Sequence, residues 1–177
     1  IQAGMTNVAF LRTNIEMLPD FFSTDEISEI WITFPDPQMK KETKRLTSSF
    51  FMQRYQRILK NNGLIHLKTD SPFLSAYTRE MLRVNDYTVV ADTNDLYSEQ
   101  PDFNAEWPEA MALQTHYEQQ WLERGLTIKH IRFVLDKRER FVEPDVEIEY
   151  DRATDFDDEV HFKNSARIWI DYSDDCY

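Results

Sequence analysis

The 177 residues suffice for one domain with a sizeable core, and a content of 41% hydrophobic and 14% aromatic residues excludes a disordered chain. A net charge of −12 argues against tight non-specific binding to nucleic acid, although residues 136–177 hold 14 acidic and 6 basic side chains, which leaves the rest near −4. No apolar run approaches the ~20 residues that span a bilayer, and the four histidines (His66, His116, His130 and His161) lack metal-ligand spacing. With Cys176 unable to form an internal disulfide, this reads as a cytoplasmic chain without membrane or metal partners, although it starts at Ile1 and its natural N-terminus need not be present.

Taken in chain order, Asn7 to Arg12 (NVAFLR) reads as a short strand and Ile15 to Phe22 as a short helix or turn. Ile27 to Phe34 is an apolar run that reads as a buried strand. Thr47 to Asn61 is a helix, because Phe51, Tyr55, Ile58 and Leu59 share one face, and Asn61-Asn62-Gly63 ends it with residues that tolerate the left-handed conformation. Leu64 to Thr69 (LIHLKT) is a second buried strand. Ser71-Pro72 is an N-cap followed by an N1 proline, opening a helix with Leu74, Tyr77, Met81 and Leu82 inward. Tyr87 to Asp92 is a strand, Thr93 to Pro108 a long polar loop, and Thr115-His116-Tyr117-Glu118 a capping box that starts a helix ending at Gly125. Thr127 to Leu135 alternates as a strand, and Val146 to Tyr150 and Ala166 to Tyr172 are candidate edge strands. The order implies a mostly parallel sheet with helices on both faces, residues 1–135 forming the domain and 136–177 an acidic extension.

The chemistry concentrates in Phe34-Pro35-Asp36-Pro37-Gln38-Met39-Lys40-Lys41. Open α/β sheets bind ligands outside the carboxyl ends of their strands, and two prolines restrict the backbone around Asp36. Lys40, Lys41, Lys44 and Arg45 follow, so an acid stands beside a basic cluster, an arrangement suited to a nucleotide. Pro-Asp-Pro is equally good turn chemistry, and a run such as 40–45 is often no more than a solvated surface. His66, between Ile65 and Leu67, reads as a satisfied core or edge residue, and Trp121 as core.

FPDPQMKK, KRLTSSFFMQRYQRILKNNGLIHLKTDS and THYEQQWLERGLTIKHIRF together resemble the bacterial tRNA (guanine-N7-)-methyltransferase family, over about residues 7–135 and in family-like order. The resemblance implies a Rossmann-like class I methyltransferase sheet, mostly parallel with an antiparallel last strand. It implies transfer of a methyl group from S-adenosylmethionine to N7 of a variable-loop guanine in tRNA, by a monomer or homodimer. Asp36 would be the catalytic carboxylate at the methyl donor and target guanine. Lys40 would bind substrate, Asp70 the substrate base, and Thr115, His116, Tyr117 and Glu118 would match the T-x-F/Y-E substrate motif. Asn14 stands where members usually carry an aspartate near the cofactor's adenine, and Lys41, Lys44 and Arg45 would meet phosphates.

The family's Gly-rich loop and the acid ending its second strand have no counterpart here, since the glycines are only Gly4, Gly63 and Gly125. The chain therefore reads as the later strands of the fold, and it is expected to bind S-adenosylmethionine poorly alone, which calorimetry on residues 1–177 would check. Two alternatives stay open: a catalytically incompetent module that grips tRNA or a partner, and a methyltransferase acting on a base amino group.

Overall fold

The computed structural model describes residues 7–98, 114–145 and 167–171, with the backbone alone for 167–171. Five strands form one sheet: β1 (Ile27–Thr33), β2 (Leu59–Thr69), β3 (Val89–Thr93), β4 (Lys129–Leu135) and β5 (Arg167–Asp171), in the order β3-β4-β2-β1-β5. Three α-helices accompany them among the described residues: α1 (Ser49–Ile58), α2 (Pro72–Val84) and α3 (His116–Glu123). β1 and β2 pair in parallel, whereas β4 is antiparallel to both β2 and β3, so β1, β2 and β3 share one direction. Three strands running one way with an antiparallel β4 fit the Rossmann-like sheet that the resemblance implies. β5 adds a further antiparallel neighbour to β1, where an edge strand was expected between Ala166 and Tyr172.

The alternation of β1, β2 and β4 separates the faces. Ile30, Ile32, Ile65, Leu67, Ile131 and Phe133 are all fully buried and join Phe51, Met52 and Tyr55 of α1 and Leu74, Tyr77 and Met81 of α2 in one core. Burying such side chains contributes about 1.5–3 kcal/mol each. Ser71 caps α2 by accepting from the Leu74 amide at 3.1 Å, as its Ser-Pro opening suggests. Residues 141–143 belong to this packing too: Asn85 exchanges two 2.7 Å hydrogen bonds with the backbone of Val142, and Glu143 accepts from the Ser49 amide at 3.0 Å and from the Tyr77 hydroxyl. An acid at the start of α1 complements the partial positive charge of its unpaired amides.

Two expectations change. Residues 7–12 carry no strand; Phe10 is 79% exposed, so no core is available to reward pairing there. The helix expected to reach Asn61 stops at Ile58, and Asn61-Asn62-Gly63 lies inside the long β2. Asn62 takes a φ of 61°, and the pairing of β1 with β2 jumps from Ile27↔Leu59 to Glu29↔Leu64, so these residues loop out as a bulge. Gly63 is required by contact: a Cβ there would fall 2.5 Å from Leu59 Cγ and 2.9 Å from the Lys60 carbonyl. Gly63→Ala is expected to lower unfolding free energy by about 1–3 kcal/mol in denaturant titration, the usual range for overpacking. The expected strand Val146 to Tyr150 and most of the loop after β3 lie outside the described residues.

Candidate functional site

At the carboxyl end of β1 the chain turns through a backbone that few sequences tolerate. Phe34 (φ 48°) and Gln38 (φ 51°) are both non-glycine residues in the left-handed region and bracket Pro35-Asp36-Pro37. Such conformations cost about 1–3 kcal/mol each and persist only where the surroundings over-determine them. One restraint is Asp36 itself, whose Oδ1 accepts from the Gln38 amide at 2.9 Å. Another is the Phe34 amide, which donates to the Lys68 carbonyl of β2 at 2.7 Å and ties the turn to its neighbour strand. Asp36 stays half-exposed at this tip.

Arg45 supplies a third restraint, and here the expectation of a phosphate contact is corrected. Only 5% of Arg45 is exposed, and its guanidinium donates to the carbonyls of Gln38 (3.3 Å) and Met39 (3.1 Å). The same group lies 4.4 Å from the Tyr77 ring centroid and 4.9 Å from that of Phe73, both on α2. A planar, weakly hydrated cation suits this stacked position, so Arg45 braces the turn from below. Lys40 and Lys41 are exposed beside it, while Lys44 pairs at the surface with Glu16.

Because β1 and β2 are parallel neighbours, Asp70 emerges at the tip beside Asp36's turn. Burial pushes the Asp70 carboxyl above the usual carboxylate range, against opposing pulls from a backbone hydrogen bond and from Lys129. Lys129 Nζ donates to the carbonyls of Asp70 (3.1 Å) and Thr127 (2.9 Å), and desolvation lowers its own pKa. Asn14 caps the short 3₁₀ helix Ile15–Asp20, with Oδ1 accepting from the Glu16 amide at 3.1 Å, on an exposed segment.

The sheet's second face is polar yet buried. Glu29, His66, Lys68, His130 and Arg132 are all buried, Arg132 the most exposed of them at 8%. Trp31 stacks on His66 with ring centroids 3.9 Å apart and planes 14° apart, and its Nε1 donates to Glu29. His66 Nε2 lies 3.0 Å from Glu29 Oε1, and its Nδ1 lies 3.2 Å from His130 Nε2, so His66 is an interior residue, as expected. Toward the site, Lys68 Nζ pairs with Glu118 Oε1 of α3 at 2.7 Å and donates to the Tyr97 hydroxyl at 3.1 Å. The capping box forms as its spacing requires: Thr115 Oγ1 accepts from the Glu118 amide (3.2 Å) and Glu118 Oε2 from the Thr115 amide (3.1 Å). His116 is exposed, its Nε2 3.2 Å from Gln120 Nε2.

Lys68, Tyr97 and Lys129 escaped the sequence reading, as did the bracing role of Arg45. One signal existed: in LIHLKTD the polar His66 and Lys68 alternate against Ile65 and Leu67, which places a histidine and a lysine on a face that must be covered. Burial holds the His130 pKa well below 6.5, reinforced by the charges of His66, Lys68 and Arg132, so the folded state keeps this ring neutral. A depressed folded-state pKa contributes stability that is present above the unfolded value and lost as pH falls. Unfolding free energy is therefore expected to drop by up to about 1.4 kcal/mol per pH unit below pH ~6.5, and His130→Gln to flatten that dependence in denaturant titrations between pH ~7 and ~5.

Residues 1–131 match a protein-family model described as "Putative methyltransferase". Over 152 residues the chain is 55% identical to a tRNA (guanine-N(7)-)-methyltransferase of Bacteroides fragilis and to one of Bacteroides thetaiotaomicron, covering 85% of this chain and 58% of each relative. A Porphyromonas gingivalis protein of the same name is 53% identical over 85% of the chain and 61% of its own length, so the chain spans about three-fifths of these curated relatives. An acid in a braced turn at a strand's carboxyl end, on a sheet with an antiparallel last strand, agrees with that match, and the chain belongs to this methyltransferase family.

Proposed function

We propose that the protein is a tRNA guanine-N7 methyltransferase, with the substrate guanine lying across the adjacent tips of β1 and β2. The observation that carries this reading is the half-exposed Asp36 carboxylate in its doubly left-handed turn, beside Asp70, in a chain 55% identical to proteins of that name. S-adenosylmethionine is the methyl donor that the reading requires. The described residues fit part of it: Asp36 offers a fixed anion at a strand's carboxyl end, suited to a cationic sulfonium, and Asn14 offers an amide on the segment leading into the 3₁₀ helix.

Guanine N7 is already a lone-pair acceptor, so no strong general base is needed. The residues therefore act mainly by positioning, which can supply up to about 7–11 kcal/mol in favourable cases. As N7 becomes substituted the purine turns cationic, and the Asp36 carboxylate stabilises that developing charge. Asp70 accepts from guanine's N1–H and exocyclic amine, donors that adenine does not offer in this combination. Lys40 and Lys41 meet backbone phosphates, with Thr115 to Glu118 beside the base. Because burial raises the Asp70 pKa and recognition uses its ionised form, activity should climb with pH through a value above 3.8.

Nucleoside mass spectrometry of tRNA from cells with and without the protein tests the reading. Gain of N7-methylguanosine is the expected result. A methylated base amino group in its place, or no methylated nucleoside, would overturn it.

A further inference from the structure

Glu118 belongs to the Thr115–Glu118 segment assigned to substrate, yet the structure gives both its oxygens to the protein. Oε1 meets Lys68 Nζ at 2.7 Å and the Tyr97 hydroxyl, and Oε2 accepts from the Thr115 amide at 3.1 Å. The Glu118 side chain is wholly buried and that of Lys68 is 5% exposed. Three segments distant in sequence, the end of β2, the turn after β3 and the first turn of α3, thus converge on one carboxylate.

We propose that Lys68 and Tyr97 are positioning residues that hold Glu118 as an internal anchor, leaving Thr115 and His116 to meet the substrate. Stability alone is a weak reason for such a pair, because well-packed apolar residues commonly replace a buried ion pair without loss. Geometry is the stronger reason. Lys68 lies two residues before Asp70, so the ion pair sets the first turn of α3 at a fixed distance from the tip of β2. Thr115 Oγ1 accepts from the Glu118 amide and keeps its own hydrogen to donate, and His116 is exposed one residue on. The inference rests on the tRNA reading for what is bound, but not for the anchor itself.

Two measurements, made on the full-length protein that carries this chain, separate the two. Amide hydrogen exchange at Thr115 and Glu118 should be at least about tenfold faster in Lys68→Met, and faster to a smaller extent in Tyr97→Phe, because each removes a partner that holds the cap closed. Unchanged protection in both variants would overturn the anchor, whatever the protein acts on. In steady-state methylation of tRNA, Lys68→Met should raise KM for tRNA by about tenfold and change kcat by less than about threefold. Lys68→Met/Glu118→Gln should be no worse than the more damaged single variant, since both break one unit. A Glu118→Gln defect that multiplies with that of Lys68→Met would mean that Glu118 touches substrate itself, which overturns the proposal. Absence of methylation by the unaltered full-length protein that carries residues 1–177 refutes the functional reading, and the exchange measurement still decides the anchor. If Lys68→Met does not fold, Tyr97→Phe carries both measurements.

Discussion

Asp36→Asn is expected to cut kcat for tRNA methylation by about 10²–10³-fold, close to 3–4 kcal/mol of transition-state stabilisation. The substitution removes the charge and leaves an oxygen that can still accept from the Gln38 amide, so the turn keeps its local hydrogen bond. Phe34 remains tied to the Lys68 carbonyl and Arg45 still braces the Gln38 and Met39 carbonyls. The loss should therefore fall on kcat, with KM for tRNA and the denaturation midpoint almost unchanged. A rate within about threefold of the unaltered protein would show that the carboxylate does not meet developing charge. An accompanying collapse in stability would mark Asp36 as turn chemistry alone.

Lys68→Met is expected to destabilise the fold by about 3–5 kcal/mol, the usual consequence of leaving one member of a buried ion pair uncompensated. Glu118 retains the Tyr97 hydroxyl and the Thr115 amide, which places the loss toward the lower end of that range. Adding Glu118→Gln should restore most of the stability, because a neutral amide can still accept from the Thr115 amide and meet Tyr97. Denaturant titrations of the single and double variants check this. A single variant as stable as the parent would mean that water or a rearranged side chain compensates Glu118, so the pair would not be the isolated interior contact described.

Much of the scaffold was legible because local rules and tertiary packing agree. The Ser71-Pro72 opening and the Thr115/Glu118 capping box form as read, and the inward faces of α1 and α2 are those that helical spacing selects. Where the rules conflicted, tertiary contacts prevailed. Asn61-Asn62-Gly63 satisfies a helix stop and a strand bulge equally well, and the pairing of Leu59 with Ile27 selected the bulge. NVAFLR has strand-like composition but pairs with nothing among the described residues.

The site divides in the same way. A rigid acid before a basic run is a property of order along the chain, so Asp36 and the exposed Lys40 and Lys41 could be named without coordinates, whereas Asp70 was named by what the family resemblance implies. The fate of a charge depends on what folds over it, and sequence separation hides that. Arg45 is drawn beneath its own loop by two rings of α2, and Lys68 meets an acid 50 residues away on α3. Composition and spacing thus determined most of the strands and helices and the acid at the tip of β1. Only tertiary packing decided which cations face solvent, because desolvation and pairing are set by neighbours distant along the chain.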